Sequence, residues 1–298
     1  MARLTVPERF AILFLLVVPA AAGCAAGGSD TGSGGYLHTY DLEAGKVLRF
    51  KGATTTSVRS EMLETVFSGP IEMQMPYTVR LEFEEQEADR FQGAMVFEEV
   101  DIQGPGEMIG GLSGVMGDLE LEGMRLPFTL EPGGRSQMEA AGEGAGLPFS
   151  GSGPVSQGLQ QYFIPWPDRP LRVGATWTDT LRQQWEPEEG AGSRTRQVTR
   201  YTYQGLLSPV EGAEALHTVH ASMEGSMVGT GSDETSGLEV TVTGSWTGET
   251  TYRFDILDGI LEESEGSLAI DMTVDMGGAM AMSLPMEMIT EFRTRRVR

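Results

Sequence analysis

Residues 71–84 read IEMQMPYTVRLEFE. The odd positions Ile71, Met73, Met75, Tyr77, Val79, Leu81 and Phe83 are all apolar or aromatic, while Glu72, Gln74, Thr78, Arg80, Glu82 and Glu84 fall between them. Side chains alternate across a strand with period two, so this spacing predicts a long strand with one dry and one wet face. Pro76 sits on the wet face. Because proline cannot donate to a ladder, it predicts an edge position or a bulge.

The carboxyl-terminal half repeats the pattern with even parity. Leu238, Val240, Val242, Trp246, Tyr252, Phe254 and Ile256 alternate with polar residues up to Asp258-Gly259, a dipeptide suited to a two-residue type I′ hairpin turn. Leu268, Ile270, Met272, Val274 and Met276 follow, then Gly277-Gly278, then Met280, Met282, Leu284, Met286 and Met288. Three strands in a meander are expected, with Asp271, Thr273, Asp275, Ser283 and Glu287 on a face that meets water. Helical spacing is scarce. PVSQGLQQYF (154–163) predicts two or three turns, with Pro154 where a missing amide costs little, and the glycine-loaded stretch 106–120 has apolar residues at helical spacing.

LRFKGATTTSV from Leu48 is echoed by LRVGATWTDTL from Leu171, each leading into the first strand of a sheet. The proline-rich IPWPDRP at 164–170 falls between the two halves. The expected fold is therefore all-β with minor α: two lobes of long antiparallel strands, 36–163 and 164–298, half-barrel or sandwich-like, with one short helix before the second lobe.

Cys24 is the chain's one cysteine. Ahead of it lie Arg3 and Arg9, the apolar run AILFLLVVPA, too short to span a bilayer, and the small residues Ala21, Ala22 and Gly23. This arrangement resembles the lipobox of bacterial lipoproteins. The resemblance implies that 1–23 is a cleaved signal, that the Cys24 thiol carries diacylglycerol and holds the protein on a membrane, and that Ala25 directs it to the periplasmic side of the outer membrane. Residues 24–35, rich in glycine, serine and alanine after Cys24 and without apolar periodicity, are expected to form a flexible tether. With no second cysteine there is no disulfide, and the core alone must hold the fold.

PWPDRPLRVGATW (165–177) resembles the LP-x-x-P-V-x-V-G-x-x-W signature of an uncharacterised group of bacterial lipoproteins, which implies an anchored β-protein and brings no catalytic residues with it. Read physically, its prolines keep the entry extended, Gly174 permits a sharp turn, and Trp177 plugs a core. Long strands in an anchored protein are also similar in architecture to the LolA, LolB and LppX carriers.

With 43 acidic and 21 basic residues the formal net charge is −22, which is expected to repel nucleic acid and anionic lipid headgroups. No G-x-S-x-G elbow or phosphate loop occurs, and the only lysines are Lys46 and Lys51. In HTVH, His217 and His220 stand three apart and face opposite sides of a strand, so the motif is expected to give one buried, hydrogen-bonded histidine and one exposed rather than a zinc pair. Neither an enzyme nor a cofactor is implied; a hydrolase built from scattered carboxylates is the reading left for catalysis.

Seventeen methionines are the unusual feature. Met73, Met75, Met272, Met276, Met280, Met282, Met286 and Met288 fall on dry faces. They read as irregular core filling, as an adaptable wall for a lipid or other apolar ligand, or as soft Cu(I) ligands, in that order. The function expected is a non-enzymatic envelope lipoprotein that binds an apolar or amphiphilic ligand or a protein partner through these stripes, or a structural module of the outer membrane.

Overall fold

The computed structural model describes residues 35–61, 69–87, 90–105, 121–138, 159–185, 192–207, 216–233, 238–255, 257–277 and 281–298. Residues 1–34, with the expected signal, Cys24 and most of the expected tether, the stretch 106–120, residues 154–158 and Met280 lie outside them.

Among the described residues the chain is all-β, with antiparallel strands β1 (Val47–Arg59), β2 (Ile71–Glu87), β3 (Arg90–Val100), β4 (Arg125–Leu130), β5 (Ser136–Met138), β6 (Thr176–Trp185), β7 (Gly192–Leu207), β8 (Leu216–Asp233), β9 (Leu238–Asp255), β10 (Leu261–Met276) and β11 (Met282–Val297). The expected short helix is a single 3-10 turn, Leu159–Gln161.

The strands form one sheet in the order β5-β4-β3-β2-β1-β11-β10-β9-β8-β7-β6. The amino- and carboxyl-terminal groups of strands are joined in this sheet where β1 pairs β11, from Arg49↔Val297 to Arg59↔Glu287. The dry face read from Ile71 to Phe83 is real, and Ile71, Tyr77, Val79, Leu81 and Phe83 are buried. Pro76 lies in an interior strand, next to a bulge between Thr78 and Val79. It faces Asp101 just past the end of β3, where its carbonyl accepts from Asp101 N at 3.1 Å and only the donor that proline lacks is absent.

The sheet curls around the segment that follows the 3-10 turn. Phe163 packs on Phe128 of β4 at a ring separation of 6.4 Å, and Trp166 packs on Trp177 of β6 at 5.7 Å and on Phe254 of β9 at 5.0 Å. In a flat sheet β4 and β6 would stand nine strand spacings apart, roughly 43 Å. Four residues span at most about 14 Å. Only a strongly curled sheet brings both strands to one short segment. Ile164 is fully buried and Trp166 nearly so. Ile164 and Trp166 of the proline-rich stretch thus belong to the hydrophobic core.

Polar contacts fix that centre. Tyr40 Oη donates to the Ile164 carbonyl at 3.0 Å and accepts from its amide at 2.8 Å. Gln197 Nε2 donates to Gln160 Oε1 at 2.9 Å, and Trp177 Nε1 donates to the Pro165 carbonyl at 2.7 Å. Gly174 has a φ of 84°, the sharp turn expected of it. The β9–β10 connection turns at Gly259, φ 67°, but through a longer loop than the two-residue turn expected, closed by Asp255 N donating to Ile260 O at 2.9 Å.

Terminal strands β5 and β6 do not pair with each other, so the sheet is open. A cleft of about 590 Å³ lies between them, lined among others by Arg90, Met138, Phe163 and Arg182. Arg135 and Asp179 meet across it at 3.4 Å.

Candidate functional site

The long carboxyl-terminal strands run on past this aromatic core, and their register carries the apolar parity across the sheet. Met227, Gly244, Met272 and Met286 stand in one row across β8, β9, β10 and β11. The next row is Gly229, Val242, Val274 and Leu284, and beyond it come Gly231, Val240, Met276 and Met282. On the core side lies the row Gly225, Trp246, Ile270, Met288 and, on β1, Val58. At about 4.8 Å between strands and about 6.8 Å between alternate residues, these four rows on four strands cover roughly 500 Å².

Among the described residues none of the methionines expected to line a site enters the buried core. Met73, Met75, Met272, Met276, Met286 and Met288 are half-buried, and Met282 is exposed at 41 %. Register brings Met272 opposite Met286 and Met276 opposite Met282, with Met288 beside Ile270. Met73 and Met75 lie across β1 from them, opposite Thr56 and Thr54, and Met75 packs against the core. The core methionine is Met95, 2 % exposed. Sequence reasoning passed over Met227, although it has the same odd parity as Met223 and His217 in LHTVHASMEGSMVG, and that parity was the available signal.

Glycine shapes this face. Trp246 lies across Gly225 on the neighbouring strand, in the space a Cβ would occupy. Among the described residues a Cβ at Gly229 would meet nothing nearer than 3.8 Å, and one at Gly231 nothing within 4 Å. The two leave a depression walled by Val242 and Val240. Among the described residues the methionine face lines no enclosed cavity of the kind the sequence suggested. A groove of about 830 Å³ crosses the same strands, but residues of opposite parity dominate its lining, among them Ser226, Thr243, Ser245, Asp271 and Thr273. It belongs to the polar face.

A second cluster lies where the chain enters the fold. The His38 ring stacks on Trp166 at 4.3 Å and meets His217 edge-on at 4.4 Å, while Tyr36 meets His217 at 4.8 Å. His217 Nδ1 shares a 2.5 Å hydrogen bond with Tyr203 Oη. Burial lowers the His38 pKa to about 3, helped by repulsion from His217, and burial lowers His217 to about 4 against the pull of Asp255. Both imidazoles are neutral near pH 7. His217 is buried and bonded as expected, and His220 is half-buried. The contact with His38, far away in sequence, was not legible. Among the described residues no three His, Cys, Asp or Glu side chains converge as a cation site.

No protein-family profile matches the chain, and no curated protein matches it. Among solved structures, a multiply substituted variant of the Rh. blastica porin aligns with 85% of this chain and 100% of its own at 9% identity, with a TM-score of 0.25. Pseudomonas aeruginosa OccK11 (OpdR) aligns with 88% of this chain and 100% of its own at 8% identity, with a TM-score of 0.19.

Proposed function

We propose that the protein is an envelope lipoprotein, anchored through Cys24, that holds an apolar or amphiphilic ligand against the methionine face of β8–β11. One observation carries the reading: this face continues the apolar parity of the core, yet its described methionines are only half-buried or exposed, and among the described residues Gly229 and Gly231 leave an open depression in it. An apolar surface of this extent is at the size where monomeric proteins use such patches. Unbranched methionines re-pack around differently shaped chains, which suits a ligand defined by being apolar rather than by a hydrogen-bond pattern. No catalytic step is assigned.

The test is native mass spectrometry of the full chain purified from membranes, together with titration of an apolar fluorescent probe. Co-purified lipid, and probe binding lost in Met272→Glu/Met286→Glu, are the expected results. A clean mass together with undiminished probe binding by the variant would remove the reading. Intact-mass measurement before and after Cys24→Ala tests the anchor separately, the expected loss being that of the acyl chains.

A further inference from the structure

Most arginines of the sheet are neutralised where they stand. Arg80 pairs with Glu82 and Glu98, Arg125 with Glu82 and Glu84, Arg253 and Arg293 with Glu263, and Arg296 with Glu262. The polar face of β6 and β7 departs from this rule. Arg182 and Arg196 stand directly opposite one another, and Arg200, opposite Thr178, is on the same face. All three are exposed. Among the described residues none of the three has a carboxylate partner. Glu224, opposite Val198 on β8, is diagonal to both Arg196 and Arg200 and forms no ion pair with either. Arg194 shares the face.

Like charges directly opposed across two strands repel. The fold does not demand them there, since the neighbouring exposed positions of β6 are Thr178 and Thr180. A chain with 43 acidic residues has carboxylates to spare for neutralising them, yet among the described residues none is paired with these three. β6 is also the end of the sheet, so no further strand flanks the patch. We propose that this face docks the protein on an anionic membrane surface, each guanidinium taking a lipid phosphate in its fork. The overall charge of −22 opposes this approach at long range. At physiological ionic strength a charge is felt over about 8 Å, so the local patch governs the contact. The inference does not depend on the methionine face, which lies on the other side of the sheet.

The experiment is co-sedimentation of the full chain, carrying Cys24→Ala to remove acylation, with phosphatidylcholine vesicles with and without phosphatidylglycerol. Binding should be stronger to the anionic vesicles and should weaken from about 0.1 M to about 1 M salt, as the screening length falls from about 10 to about 3 Å. Arg182→Gln/Arg196→Gln/Arg200→Gln should reduce the anionic preference on the order of a hundredfold, roughly fivefold per arginine. The matching triple lysine variant should retain most of it, which separates charge from misfolding. Equal binding to both vesicles, or an unchanged preference in the glutamine variant, would overturn the proposal. So would loss of binding on adding millimolar inorganic phosphate at constant ionic strength, which would mark a site for free anions.

Discussion

Trp246 of β9 lies over Gly225 of β8, its opposite number across the ladder, and its Nε1 donates to Gln197 Oε1 of β7 at 3.2 Å. A methyl group at Gly225 would meet the indole face. Gly225→Ala should therefore cost about 1–3 kcal/mol, as overpacking of a close-packed site does, and shift the urea midpoint down without changing the m-value.

The depression at Gly229 and Gly231 has the opposite sign. Both glycines are in strand positions with space where a Cβ would go, and glycine inside a strand is worth roughly 0.5–1 kcal/mol less than alanine. Gly231→Val should leave stability unchanged or slightly higher while lowering affinity for an apolar probe. Probe titration beside a urea melt separates the two effects. Undiminished binding in a stable variant would place the ligand elsewhere on the face.

Tyr40→Phe removes a hydroxyl that satisfies both the amide and the carbonyl of buried Ile164. A buried group left without a partner costs about 1–3 kcal/mol, so the loss should be at the upper end of that range or beyond it. Keeping the ring confines the change to the hydrogen bonds, whereas Tyr40→Leu would add a packing loss. Denaturant unfolding measures it.

Acid should weaken the fold through the imidazole pair. In the unfolded chain His38 and His217 titrate near their ordinary value of 6.5, while in the fold they titrate near 3 and 4. Between those values the unfolded chain binds more protons, so stability is full above about pH 6.5 and falls as pH drops through that window. The urea midpoint should decline from pH 7 to pH 4.5. His38→Phe, which keeps a ring on Trp166, should flatten the slope.

Because both groups of strands share one core, they should unfold together. Leu81→Ala in β2 and Phe254→Ala in β9 are each expected to cost about 2–5 kcal/mol. Both should lower the midpoint of a single transition that intrinsic fluorescence and circular dichroism report alike. Two separated transitions, each moved by one variant, would mean that the halves are independent.

Much of this molecule is legible in one dimension. Strand identity, the parity of Ile71 to Phe83 and of Met272 to Met288, the turn at Gly174 and the burial of His217 all follow from alternation and turn chemistry, which are local properties of the chain. Partners far apart in sequence are not local. Pairing of β1 with β11, the placing of Ile164 and Trp166 at the centre, the stacking of His38 on Trp166 and the opposition of Arg182 to Arg196 depend on which strand lies beside which. Period two says which residues share a face. Whether that face is buried, half-covered or charged is set by how far the sheet curls around what fills it, and the curl is a collective outcome of packing that no single strand carries.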